Sequence, residues 1–175
     1  MTAGEHAEDS TAWYAVWTRV RHEKVVQSQL MHKHIEVFLP TVSRWSRWKD
    51  RRKKVEWPLF PGYCFARFDP SSGTLPVLTC AGVLNIVRFD GRPAVISDRE
   101  VNSLRLLVTH EWKCDPCPLI VEGTLVEVVD GPLRGVMGRL LRKDARSATV
   151  VLSVDLIQQA VKVEVPAADI RAAFP

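Results

Sequence analysis

The stretch VEWPLFPGYCFARF, residues 55–68, decides how the chain is read. Pro61-Gly62 permits a sharp turn or bulge, because proline presets φ and glycine tolerates the left-handed region. After it, Tyr63, Phe65 and Phe68 interleave with Cys64, Ala66 and Arg67, which makes a strand with aromatic residues on both faces. One face of such a strand suits a core and the other a docking surface. Immediately upstream, RWSRWKDRRKK (44–54) is too polar for a core and lacks helical periodicity, so it reads as a loop or an extended hairpin between strands. Before it, IEVFLP (35–40) alternates as a strand that Pro40 ends, and WYAVWT (13–18) is aromatic and β-branched, as a buried strand requires. Between these two, residues 20–34 carry Val26, Leu30 and His34 at i, i+4 and i+8, with Val25 beside them and Arg21, Glu23, Lys24 and Lys33 elsewhere, the pattern of an amphipathic helix.

Downstream, DPSSGT (69–74) is loop chemistry, and 75–81 reads as a short helix with Pro76 in its first turn and Gly82 as its stop. Residues 83–89 are a strand candidate. SDRE (97–100) is a capping box, followed by Val101, Leu104, Leu107 and Val108 on one helical face. The resulting β-α-β-β-α-β-α order predicts a compact α+β sandwich. THEWKCDPCPL (109–119) loses periodicity and contains two prolines, so it reads as a linker. From 122 onward the texture is β: 125–129, 136–141, 149–154 and 160–165 are short strands, and Val161, Val163 and Val165 alternate with Lys162 and Glu164 as in a half-buried strand. A small β-barrel of about 50 residues follows.

A chain of 175 residues with 46% apolar content is long enough for one ordinary domain or two small ones with packed cores. It has no apolar run of membrane-spanning length and a polar N-terminus, and its four cysteines are not densely spaced. These features predict a protein of the reducing cytoplasm with no membrane association and no disulfide scaffold. The segment 44–54 holds seven basic residues and one acid, +6 against a net +4 for the chain, so the remainder carries −2. The basic character is one local stripe, whose natural partner is a polyanion.

A strand-helix-strand start, a basic hairpin, an aromatic PGY strand and a Gly-containing β-barrel, in this order, resemble the NusG family of transcription termination/antitermination factors. The strings that carry the likeness are WYAVWTRVRHEKVV (13–26), VEWPLFPGYCFARF (55–68), VLNIVRFDGRPAVIS (83–97) and EGTLVEVVDGPLRGVMGRL (122–140). FPGY together with the downstream VxDGPxxGxxG pattern is specific as a pair. Beside the disordered tail at 1–11 and the linker at 110–119 read from composition, the resemblance implies an NGN sandwich domain with an antiparallel sheet at 12–109 and a KOW domain, an SH3-like barrel, at 120–175. WSRWKDRRKKVEWPLFPGY and the FDPSS and IVRFDG strings look more like the specialised paralogues of the RfaH, UpxY and LoaP type than the housekeeping factor, which implies antitermination and processive transcription of particular operons.

The resemblance also implies roles for residues. The NGN domain would bind the clamp helices of the largest subunit of bacterial RNA polymerase through Phe60, Tyr63, Phe65 and Phe89, with Pro61 and Gly62 shaping the strand; aromatic anchors commonly dominate an interface. In the stripe, Arg44, Arg47, Lys49, Arg51, Arg52, Lys53 and Lys54 are suited to phosphates, and the interleaved Trp45 and Trp48 to stacking on bases. By resemblance the nucleic acid would be upstream DNA or the non-template strand. Ser71, Ser72 and Thr74 lie where RfaH-like proteins place a polar cluster facing the opposite pincer of the polymerase, but SSGT departs from that threonine-rich pattern and a plain loop is expected. In the KOW domain, Asp130, Gly131, Pro132 and Gly135 would form a tight turn, and the barrel would recruit a small-subunit ribosomal protein, Rho or RNA. Its β-branched valines favour a stable barrel over a helical alternative.

His110, Cys114 and Cys117 have metal-ligand spacing, but a closed site needs four ligands and no fourth is nearby, so the expectation is no metal and a reduced pair, or a disulfide under oxidation. No phosphate-binding Gly-rich loop, nucleophile elbow or metalloprotease motif occurs, and His22, His32 and His34 read as surface residues. A monomeric, cofactor-free binding protein, not an enzyme, is expected.

Overall fold

A computed structural model of the chain describes residues 11–48, 51–110, 114–118 and 123–173. It is of the α+β class, with antiparallel sheets. The first half runs β1 (Ala12–Thr18), α1 (Glu23–His32), β2 (Glu36–Phe38), β3 (Thr41–Trp48), β4 (Arg51–Pro58), β5 (Tyr63–Phe68), the single-turn α2 (Leu75–Leu78), β6 (Val83–Ile86), β7 (Arg88–Phe89), β8 (Arg92–Pro93), β9 (Val95–Ile96) and α3 (Asp98–Thr109). The sheet order is β2-β5-β1-β6, with β9 also pairing β1. The lead string therefore supplies two elements, β4 up to Pro58 and β5 from Tyr63.

Alternation in β1 explains the layers. Trp13 and Ala15 face α3, where Val101, Leu104 and Leu107 join Phe60 and Phe65 in one buried cluster. Tyr14 and Val16 face the other way, onto Val26 and Leu30 of α1, with Cys64, Phe68 and Val77. β5 alternates in the same way, so its aromatics do lie on both faces: Phe65 in the first cluster, and Phe68 in the second at 4.6 Å from Tyr14. α3 starts where its capping box requires: Ser97 Oγ accepts from Glu100 N, and the Glu100 carboxylate accepts from Ser97 N. Trp13 Nε1 donates to Asp98 in its first turn, and Arg105 lies over the Trp13 ring.

The second half runs β10 (Cys114–Pro118), β11 (Leu125–Val128), β12 (Met137–Lys143), β13 (Ser147–Val154), β14 (Gln159–Pro166) and β15 (Ile170–Ala172), in the order β10-β14-β13-β12-β11-β15. All four strands expected from the sequence are present. Val126, Val128, Val150, Val161, Val163 and Val165 fill the interior. This core is contiguous with the α3 cluster, and Met137 N donates to the buried Ser103 Oγ of α3 at 3.3 Å.

Several segments differ from the sequence reading. The amphipathic helix is shorter at both ends, because Arg21 and His34 adopt positive φ; His34 is exposed while Val26 and Leu30 are fully buried. The expected strand 83–89 breaks at Val87, whose neighbours Arg88–Phe89 pair with Arg92–Pro93 in a hairpin of their own. Part of the expected linker is strand: positions 114–118 pair along β14. The remainder of that linker at 111–113 and 119, the tail at 1–10, and 49–50, 120–122 and 174–175 lie outside the described residues.

Gly138 shows how tightly β12 approaches β13. A Cβ there would lie 2.6 Å from both Val150 Cγ1 and the Val151 carbonyl oxygen. The carbonyl belongs to the ladder and cannot turn aside, so Gly138→Ala is expected to destabilise the protein by about 1–3 kcal/mol, read as a lower urea midpoint with an unchanged m-value.

Candidate docking and nucleic-acid surfaces

The turn between β4 and β5 sets the first surface. Gly62 takes φ +83°, a conformation that disfavours any side chain, and its carbonyl accepts from Thr18 N at 2.8 Å, joining the turn to the end of β1. Tyr63 N closes the turn onto Phe60 O at 3.1 Å. Phe60 and Phe65 point into the core, 1% and 0% exposed, with ring centroids 6.0 Å apart edge to face. Pro61 is exposed, Gly62 buried and Tyr63 half-buried. Phe89, on the separate β7–β8 hairpin, is 76% exposed and belongs to neither buried cluster.

Of the six residues proposed for docking, then, Phe60 and Phe65 lie beneath the surface, Tyr63 at its margin and Phe89 on it. Tyr63 and Phe65 share a face, being two residues apart; they differ in depth because Tyr63 is at the strand's end.

Sequence reasoning missed Trp17 and Val20. Trp17 pairs with Tyr63 across β1 and β5 and shares the face of Trp13 and Ala15, yet it is 48% exposed where those two are buried. The β1–β6 register slips between Trp17 and Thr18, a bulge of the kind that re-aims side chains at a sheet's rim. Val20 is exposed and sits beside Gly62: a Cβ built on the glycine would be 3.9 Å from Val20 Cγ2. Trp17 and Val20, both exposed, and the half-buried Tyr63 thus flank the turn as one apolar corner. The signal available beforehand was that WYAVWT has more aromatics than a strand with two covered faces uses at its end.

The second surface is the β3–β4 hairpin, a two-stranded sheet with register from Thr41↔Pro58 to Trp48↔Arg51. Of the basic stripe, Arg44 and Arg47 lie on β3 and Arg51, Arg52, Lys53 and Lys54 on β4, with Arg47 paired to Arg52. Lys49 lies outside the described residues. Hairpins standing alone are marginal in water, and contacts among the described residues tie this one to the body, Val42 of β3 packing against the core. Leu59 N donates to Pro40 O at 2.8 Å across its base. Lys24 of α1 reaches Glu56 at 2.9 Å, and Arg44 reaches Asp115 of β10 at 3.5 Å. Both ion pairs are exposed and orient more than they stabilise. The hydrogen bond from Lys24, with its charge, holds the Glu56 carboxyl below the usual carboxylate range.

The β11–β12 turn contains the four expected residues. Asp130 Oδ1 accepts from Gly131 N at 2.8 Å, Gly131 and Gly135 take φ +76° and +90°, and Gly135 N donates to Val128 O at 2.8 Å. Asp130, Gly131, Pro132 and Gly135 are all exposed, while Leu133 anchors the turn in the core. In the 69–74 loop, the Asp69 carboxylate accepts from Ser71 Oγ at 2.6 Å and Ser72 Oγ at 3.0 Å, so both hydroxyl protons are already engaged. Thr74 is the N-cap of α2 without a side-chain cap bond.

Among the described residues no cluster of three metal-ligating side chains occurs, and no helix is long and apolar enough to cross a membrane. Positions 114 and 117 belong to one extended strand, which separates their Cα atoms by about 10 Å, beyond the reach of a disulfide. The expectation of a disulfide under oxidation is corrected on that ground. Cys64 and Cys80 are buried free thiols, and desolvation, with the Glu23 carboxylate as the next cause, pushes the Cys64 thiol up to about 12. Thiol reactivity requires an accessible thiol as well as the thiolate, and both side chains are buried, so native protein treated with a neutral-pH alkylating reagent is expected to leave Cys64 and Cys80 unmodified until denaturant is added, as peptide mass spectrometry will show.

Comparison with known proteins is consistent with this geometry. The family model described as "Transcription termination factor nusG" matches residues 11–105. The chain is 28% identical over 186 residues to the transcription termination/antitermination protein NusG of Deinococcus radiodurans, covering 89% of this chain and 95% of that protein. Among solved structures, one described as "Domain interaction in Thermotoga maritima NusG" superposes with a TM-score of 0.54 at 18% identity, covering 94% of this chain and 98% of that one.

Proposed function

The chain belongs to the NusG family of transcription termination factors, and on that premise we propose that it is an elongation factor that docks on RNA polymerase by the Trp17–Val20–Tyr63 corner. The observation that carries this reading is an exposed apolar corner separated from a cationic ribbon by a single turn, 59–62, that belongs to both. Aromatic side chains at such a corner supply large burial at small entropic cost. Phe89 adds a second anchor, and Phe60 and Phe65 support the corner from beneath.

With the corner seated on the clamp helices of the largest subunit, the β3–β4 hairpin meets upstream DNA or the non-template strand. Its cations are held near phosphates by geometry as well as charge, giving a salt-steep, weakly sequence-specific contact. Bridging the cleft in this way favours the closed clamp, since a ligand shifts an equilibrium only through differential affinity. Pausing is suppressed as a result. The protein works by binding, not catalysis, and the 12–109 and 120–175 units divide the labour: polymerase for the first, a recruited partner (a small-subunit ribosomal protein, Rho or RNA) for the second, through the 130–135 turn. We further infer a specialised antitermination factor of the RfaH, UpxY or LoaP type, on the basic stretch leading into FPGY. The name of the Deinococcus relative, a termination/antitermination protein, favours a general factor acting with Rho as the second reading, and genome-wide occupancy separates the two.

Trp17→Ala and Tyr63→Ala are each expected to weaken binding to core polymerase about tenfold while the circular dichroism of the C-terminal sheet is unchanged; full affinity in the double variant discards the corner. Replacing Arg44 or Lys54 by Ala is expected to lower the slope of log affinity against log salt for DNA by about 1 per cation, measured by fluorescence anisotropy, with no preference for sequence.

A further inference from the structure

Glu23 is only 3% exposed, although the helix pattern assigned it to the solvent side. It stands at i, i+3 and i+7 with Val26 and Leu30, the two fully buried residues of α1. A carboxylate on an apolar face is costly unless it is hydrogen-bonded. Its bond is to a distant partner: Gly62 N donates to Glu23 Oε1 at 2.8 Å, buried, across 39 residues of sequence.

We propose that Glu23 is a positioning residue for the docking corner, holding the Gly62 amide so that Tyr63 and Val20 present a single surface; this rests on the docking reading given above. Gly62 is tied on both sides. Its amide, in the peptide plane before it, donates to Glu23, and its carbonyl, in the plane after it, accepts from Thr18 N at 2.8 Å. Together the two bonds fix both peptide planes flanking the one residue of the turn that has positive φ. Tyr63 follows directly, so the direction in which β5 is entered is set by Glu23 and Thr18. Glu23 is also the first helical residue of α1, where a carboxylate is favoured by the unpaired amides of the helix start. The same side chain therefore couples the start of α1, the end of β1 and the β4–β5 turn.

Two substitutions separate positioning from plain stability. Glu23→Gln keeps an acceptor oxygen for the Gly62 amide. Glu23→Met fills similar volume and suits the apolar face but removes the acceptor, which leaves the buried Gly62 amide without its partner and is destabilising. In the full chain, Glu23→Met is expected to lower the melting temperature and, at a temperature where the variants remain folded, to lower affinity for core polymerase about tenfold and to speed hydrogen exchange of the Gly62 amide in NMR spectra. Glu23→Gln is expected to stay within about twofold of the parent affinity. Glu23→Met combined with Tyr63→Ala should bind no more weakly than Tyr63→Ala alone, because the two act through one group.

The proposal is overturned by unchanged affinity in Glu23→Met, by additive losses in the double variant, by Glu23→Gln losing as much as Glu23→Met, or by unchanged exchange at Gly62. If Trp17→Ala and Tyr63→Ala themselves bind normally, it is the docking reading that fails, and Gly62 exchange still reports whether Glu23 holds the turn.

Discussion

Everything in the first half of the molecule depends on β1 being paired along both edges and covered on both faces. β5 lies on one side of it, and β6 and β9 share the other. α3 packs over Trp13 and Ala15, and α1 lies under Tyr14 and Val16. A strand so enclosed has only its end free to meet anything else. Trp17 is therefore exposed because it is where the cover stops, and the bulge beside it leaves Thr18 to hold the Gly62 carbonyl. The apolar corner is a consequence of how far the layers extend, and it inherits their rigidity. That matters for binding, since a preorganised aromatic surface loses little entropy on docking.

Charge is segregated from this apolar architecture. The cationic hairpin forms a two-stranded sheet of its own, tied to the body through its base, through Lys24–Glu56 and through Arg44–Asp115. Concentrating +6 on a ribbon while the remainder carries −2 gives the molecule a dipolar field, which steers a polyanion toward one side. The Arg44 contact also links the ribbon to β10, the edge strand of the second sheet. β10 carries Pro116 and Pro118, which have no amide to donate. Prolines are tolerated on sheet edges and blunt them against further pairing.

That edge strand shows why part of the fold was illegible in the sequence. Two prolines and a loss of periodicity are what a linker shows, and an edge strand shows the same, because its identity comes from β14 and not from its own propensity. The strands of the second sheet, by contrast, were legible because β-branched alternation is local, and so was α3 from its capping box. Glu23 was misplaced because the i, i+4, i+8 count through Val26, Leu30 and His34 ended the apolar face at the wrong residue. The positive φ at His34 ends the helix before that position, and the face runs instead through 23, 26 and 30. Which aromatics around FPGY are core and which are surface was equally unreadable, since depth is set by where α3 stops covering the sheet.

Depth in turn decides what each aromatic can report. Phe65 has no exposure and lies within about 6 Å of both Phe38 and Phe60, ring centre to ring centre. Truncating a buried phenylalanine costs about 3–5 kcal/mol, a large share of the about 5–15 kcal/mol by which domains are stable. A binding defect in such a variant would follow from a loosened sheet whether or not the ring ever touches a partner. Trp17 is half exposed and Phe89 mostly exposed, and neither belongs to the buried clusters, so a loss of affinity on truncating them would be a loss of contact. Tyr63, half-buried at the strand's end, belongs to both classes, and its effect must be read beside that of Trp17, its neighbour across the ladder. The proposed docking surface is accordingly defined by the residues that the fold can spare.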